Sequence, residues 1–191
     1  MLRLFQRACM RAGIKLQHSE GFNPRPKLSL PLPKPVGVEV DDDLLCLSLD
    51  ASHAFEPERF KEALSAQLPR HCQVLAVTTA KQKAAPQPRE ASYLLPLSQE
   101  HLNKKVKTRI DRLMASDSLN LNRYLNAERS RFKNVDVRPF IKSIAFDNEG
   151  IVIECKTSSA GSVRVDEILE LLELDEQKLA APVRRTSVQW Q

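Results

Sequence analysis

No stretch of the chain approaches the ~20 consecutive apolar residues that a helix needs to cross a bilayer, which excludes a helical membrane protein. Glycine is scarce: five residues leave little room for a backbone nest, and neither a Gly-x-Ser-x-Gly elbow nor a Gly-x-x-x-x-Gly-Lys phosphate loop occurs. The four cysteines, Cys9, Cys46, Cys72 and Cys155, lie far apart without a CxxC pair, which argues against a zinc or iron–sulfur site. Each sits in an apolar stretch, where a reduced thiol packs as a small hydrophobe. His18, His53, His71 and His101 are scattered, so neither a metal nor a cofactor is expected. Aromatic residues are few, and Tyr93 and Trp190 are too isolated to suggest a stacking surface. The opening segment carries Arg3, Arg7 and Arg11 within its apolar pattern, unlike the core of a signal peptide, and a cytoplasmic location is expected.

What is present is a globular composition, 42% hydrophobic and 28% charged over 191 residues, enough for one mid-sized domain or two small ones. The net charge of +5 is unevenly distributed. Residues 1–34 carry +6 and residues 102–142 carry +7, leaving the remainder at −8. Two basic segments on an acidic remainder suit a polyanion, usually nucleic acid; the alternative is solvated helix faces.

Leu2, Phe5, Cys9 and Ala12 recur at helical spacing over residues 2–13, with Arg3, Arg7 and Arg11 stacked along another face and Gly13 as the stop. Residues 18–27, His-Ser-Glu-Gly-Phe-Asn-Pro-Arg-Pro-Lys, are a loop, because Pro24 and Pro26 force Asn23 and Arg25 into extended geometry. Leu28, Leu30 and Leu32 alternate with Ser29 and two prolines as an edge strand, and 44–49 is a second strand. Pro57 opens a helix bearing Phe60, Leu64 and Leu68, and 72–79 is a third strand. Residues 81–90 form a polar, proline-bearing linker. In the second half, a strand near 93–97 precedes a helix that Ser98 is expected to cap and that runs to about residue 115. Residues 119–138 are a basic insertion, either a short hairpin or a loop. Strands at 140–146 and 151–156 flank the turn Asp147-Asn-Glu-Gly150, a helix covers 165–174, and 183–190 closes as a strand.

The expected fold class is therefore α+β, with two ferredoxin-like (split βαβ) units in tandem at 1–80 and 91–191. The first unit lacks its opening strand. That strand would lie at the sheet centre, so the chain is expected to start late.

Three segments resemble a known family. They are Leu4-Phe-Gln-Arg-Ala8 with Arg11-Ala-Gly-Ile14, Ser19-Glu-Gly-Phe-Asn-Pro-Arg-Pro-Lys-Leu-Ser29, and Leu32-Pro33 with Val36-Gly-Val-Glu39. They resemble the radical-SAM-linked bacterial domain of unknown function. Val135-Asp-Val-Arg-Pro-Phe-Ile141 is similar to its second signature, and Ser162-Val-Arg with Glu167-Ile-Leu to its late helix. The resemblance implies a bacterial protein fused to, or encoded beside, a radical SAM enzyme, sometimes near ribonuclease G, with no established activity of its own. The three closely spaced cysteines of a radical SAM cluster are absent, so this chain is not that enzyme. The family's opening strand and a Ser-His-Leu-Asp-type segment are missing, and Ser187 stands where the family pattern has Gly.

The loop at 18–27 is the best candidate site. His18 transfers protons near neutral pH, Phe22 can stack on a base, Asn23 offers hydrogen bonds, and Arg25 and Lys27 can neutralise phosphates. The alternative is a purely structural loop with Phe22 buried beneath it. With Arg3, Arg7 and Arg11 on the first helix, and with Arg138, either facing phosphate or paired with Asp136, these form the expected nucleic-acid-binding set. The leading expectation is a non-catalytic RNA-binding accessory domain for a radical SAM partner. The alternatives are a protein-docking module for that enzyme and an RNA-processing enzyme using His18.

Overall fold

In the computed structural model, which describes all residues except 51–54, 81–84, 99, 127, 129 and 159, the chain divides into two units. One comprises residues 1–33 and 43–87; the other comprises 34–42 and 88–191. The class is mixed α+β.

The first unit begins with α1 (Leu2–Arg11), which buries Ala8 and Cys9. Gly13 adopts φ +70, a left-handed conformation that side-chain-bearing residues resist. The reversal lets Ile14 N–H reach Cys9 O at 2.9 Å and Gly13 N–H reach Met10 O at 3.2 Å, a Schellman ending that satisfies carbonyls the helix leaves open. Strand β1 (Leu28–Ser29) pairs antiparallel with β3 (Cys46–Leu47). The ladder is shorter than the leucine alternation implies, because Pro31 and Pro33 have no N–H to extend it. Helix α2 (Pro57–Ser65) starts on Pro57, as its sequence requires. It contributes Leu64 to a core with Ala8 and Cys9, flanked by Ile14, Leu16, Leu47, Phe60, Leu68 and Val74. The strand expected at 72–79 is not formed. An apolar, valine- and threonine-rich run favours an extended segment, whereas a ladder also needs a neighbouring edge, and none among the described residues pairs with it. Part of the expected linker, residues 81–84, lies outside the described residues.

The second unit is built on a five-stranded sheet in the order β2-β9-β4-β8-β7. Its strands are β2 (Val38–Val40), β4 (Pro88–Pro96), β7 (Ile141–Asp147), β8 (Gly150–Lys156) and β9 (Val183–Trp190). All neighbours are antiparallel except β2, which pairs parallel with β9 from Val38↔Val183 to Val40↔Arg185. Alternation along β4 and β8 buries Ala91, Tyr93 and Leu95 beside Ile151, Ile153 and Cys155. Helices α3 (Lys104–Ala115) and α4 (Val165–Leu172) add Ile110, Leu113, Ile168, Leu169, Leu171 and Leu172 to the buried set. Ser98 does not cap α3. Asn103 does, its side chain accepting from Lys105 N–H at 3.0 Å and Val106 N–H at 3.3 Å. Between α3 and β7, β5 (Asn120–Tyr124) and β6 (Phe132–Asp136) form a separate antiparallel hairpin.

Candidate functional site

The 18–27 loop is closed at its base and open at its tip. Backbone pairing His18↔Pro26, Ser19 N–H to Arg25 O at 2.8 Å, and Arg25 N–H to Ser19 Oγ at 3.0 Å join its two arms. Lys27 N–H to Gln17 O at 2.7 Å continues the clasp toward β1. The prolines set the extended arms and Gly21, at φ +117, supplies the turn between them. The result projects residues 20–24 as a short tip. Phe22 is fully exposed there, so the structural alternative of a phenylalanine buried under the loop is set aside. His18, Asn23, Arg25 and Lys27 are also exposed.

Helix α1 belongs to the same unit. Arg3, Arg7 and Arg11, spaced four apart, are exposed, and Arg11 Nη2 donates to Gln67 O at 3.0 Å just beyond α2. Arg3, Arg7, Arg25 and Lys27 are thus four exposed cations on one small unit.

Arg138 lies in the second unit, in a short 3-10 turn after β6 rather than on a strand face with Asp136. Its guanidinium donates to Met114 O at 3.1 Å, Ser116 O at 2.9 Å and Ile141 O at 2.9 Å. It thereby caps the end of α3 and ties it to β7. Asp136 Oδ1 accepts from the N–H groups of Arg138 at 3.0 Å and Leu119 at 2.7 Å, so the two residues meet through backbone and not as an ion pair.

Two features of the 119–138 segment escape sequence reasoning. Arg123 makes a two-pronged ion pair with Glu167 on α4. Burial pushes the Glu167 carboxyl up, but hydrogen bonds from Arg123 and from Arg164 N–H more than offset it and hold the group below its ordinary value. Tyr124 and Phe132 face one another across the hairpin with ring centroids 6.4 Å apart in an edge-to-face arrangement. Their spacing becomes meaningful only once the strand register is known. Arg129, in the same insertion, and His53 lie outside the described residues.

Among the described residues, no group of three or more His, Cys, Asp or Glu side chains gathers in a metal-holding arrangement. None of the four cysteines is joined in a disulfide, and burial pushes the Cys155 thiol up to about 12. No helix of the described residues is long and apolar enough to cross a membrane.

Residues 1–169 match the model of a family described as an uncharacterized protein conserved in bacteria (DUF2344). No curated protein and no solved structure matches the chain.

Proposed function

The chain belongs to the bacterial DUF2344 family, and on that premise we propose that it is a non-catalytic RNA-binding domain. Its first unit holds single-stranded RNA at the 18–27 loop. The observation that carries this reading is the fully exposed Phe22 on a clasped loop flanked by Arg25 and Lys27. Exposing a phenylalanine forgoes the stabilisation of burying it, about 1.5–3 kcal/mol. A base stacked on the ring recovers that contact, while the cations take the phosphates. Arg3 and Arg7 on α1 extend the basic surface of the unit. The bound RNA is presented to a radical SAM partner, a role that rests on the resemblance of the Gly-Phe-Asn-Pro segment and Val135–Ile141 to the radical-SAM-linked domain.

The strand order β9-β4-β8-β7, with α3 after β4 and α4 after β8, supports reading the second unit as ferredoxin-like with β2 added at its edge.

The test is an anisotropy titration of a fluorescein-labelled single-stranded RNA at several salt concentrations. Four phosphate contacts, by Arg3, Arg7, Arg25 and Lys27, give a log–log slope of affinity against salt of about −3. Arg7→Ala and Arg25→Ala each weaken binding across sequences and flatten the slope by about 0.7. No binding at low salt, or binding indifferent to salt, overturns the proposal. Capture of the radical SAM partner without RNA affinity would make the basic surface a protein-docking one.

A further inference from the structure

Antiparallel pairing in the β5–β6 hairpin sorts its side chains onto two faces. The pairs Leu121↔Val135 and Arg123↔Lys133 share one face; Leu121, Val135 and Arg123 on it are partly buried, and Arg123 is locked to Glu167 and to Ser162 O at 2.8 Å. The pairs Asn122↔Asn134 and Tyr124↔Phe132 share the other face, and all four of those residues are exposed. Tyr124 is 40% and Phe132 59% exposed, so the two rings form an aromatic step that faces water. The hairpin is therefore anchored on one side and presents rings and amides on the other.

We propose that this outer face is a second contact for single-stranded RNA, with bases stacking on Phe132 and Tyr124 and the amides of Asn122 and Asn134 meeting base edges. This extends the RNA-binding reading of the first unit and rests on it for the identity of the ligand. Two observations favour RNA over a protein partner. The exposed charges on β6 and its approach, Lys133 on the opposite face of the strand and Arg131 two residues before it, are positive, against one exposed acid, Glu128, in the turn. Asp136, the acid at the hairpin's base, is engaged by two backbone N–H groups. Stacking on rings tolerates any base, which makes the contact one of affinity and not of sequence choice.

The experiment compares full-length variants by anisotropy with fluorescein-labelled oligouridylate RNA. The double variant Tyr124→Ala/Phe132→Ala weakens binding about 5- to 150-fold for each stacked base it removes. Phe132→Tyr, which keeps a ring, binds like the parent. Circular dichroism of each variant confirms that the fold is retained. In parallel, 4-thiouridine photo-crosslinking of the unaltered protein yields adducts in the peptide containing residues 120–136. Unchanged affinity of the double variant, with crosslinks confined to the 18–27 loop, overturns the hairpin contact and leaves the loop reading standing. Loss of binding in the double variant alone, with Phe22→Ala/Arg25→Ala unaffected, supports the hairpin and overturns the loop. A dimer that the double variant dissolves without any effect on RNA affinity also overturns the proposal, as does a parent protein that does not bind the RNA.

Discussion

Arg123 and Glu167 are 44 residues apart in sequence, yet they meet with Nε to Oε1 at 2.6 Å and Nη2 to Oε2 at 2.8 Å, largely shielded from water. The geometry is that of a guanidinium fork on a carboxylate. Since Glu167 also accepts from Arg164 N–H at 2.8 Å, one carboxylate orders both the start of α4 and the root of the β5–β6 hairpin.

Arg123→Ala leaves that carboxylate buried and short of its main partner. Unfolding in urea is expected to show a loss of about 3–5 kcal/mol, the range for breaking one side of a buried pair. Replacing both residues, Arg123→Met with Glu167→Gln, is expected to lose much less. A single-variant loss no larger than that of the double variant would mean that the pair is not held as described.

The same pair gives stability a dependence on pH. The folded Glu167 carboxyl lies below its ordinary value, near 4.3 in unfolded chains. Its contribution is therefore complete above that pH and is lost as pH falls through the folded value. The stability difference between the parent and Glu167→Gln is expected to hold constant from neutral pH down to about 5 and to shrink below about 4. Urea titrations across that range measure it.

Gly150 tolerates no side chain. It sits at φ +154, and a Cβ there would lie 2.0 Å from Leu95 O, with Leu95 C and Leu97 N both at 2.9 Å. These are backbone atoms of the neighbouring strand region and cannot swing aside. Gly150→Ala is expected to cost on the order of 3 kcal/mol or more, read as a lower melting temperature, whereas Gly13→Ala meets no atom and pays only the left-handed strain of about 1–2 kcal/mol.

Much of the architecture is legible from local pattern. The apolar spacing of Leu2, Phe5 and Cys9, Pro57 at a helix start, and the Asp147–Gly150 turn each act within a few residues, and each element forms where the sequence places it. The misreadings are non-local or turn on competition between equivalent residues. Ser98 and Asn103 are both good caps, and only the actual start of α3 decides between them. Val38–Val40 is too short to announce itself as a strand, and its partner lies near the other end of the chain. The loop at 18–27 follows from proline and glycine geometry but the exposure of Phe22 does not, and Arg138 looks equally basic in sequence while only its three carbonyl partners reveal a capping role.

Asn103→Ala is therefore expected to destabilise the protein by about 1 kcal/mol, and Ser98→Ala to change it by less than about 0.5 kcal/mol. Thermal melts of the two variants distinguish the caps directly.

Thiol chemistry is expected to divide the cysteines by depth. Cys155, pushed up to about 12 by burial, and the buried Cys9 resist iodoacetamide in the folded protein at pH 8. Cys46 and Cys72, which are half-buried, label first. Peptide mass spectrometry after a brief pulse reads the order, and early modification of Cys155 would contradict its packing.

Strand β2 precedes β9 in synthesis, and among the described residues its only ladder is with β9. At ordinary synthesis rates, Val38 is made roughly seven to thirty seconds before Val183 exists to receive it. During that interval the segment 34–42 hangs as an open tether between two stretches of the first unit that are already free to collapse together. The five-stranded sheet thus gains its β2 edge only after β9 has been made, and the earlier strand waits for the later one to receive it.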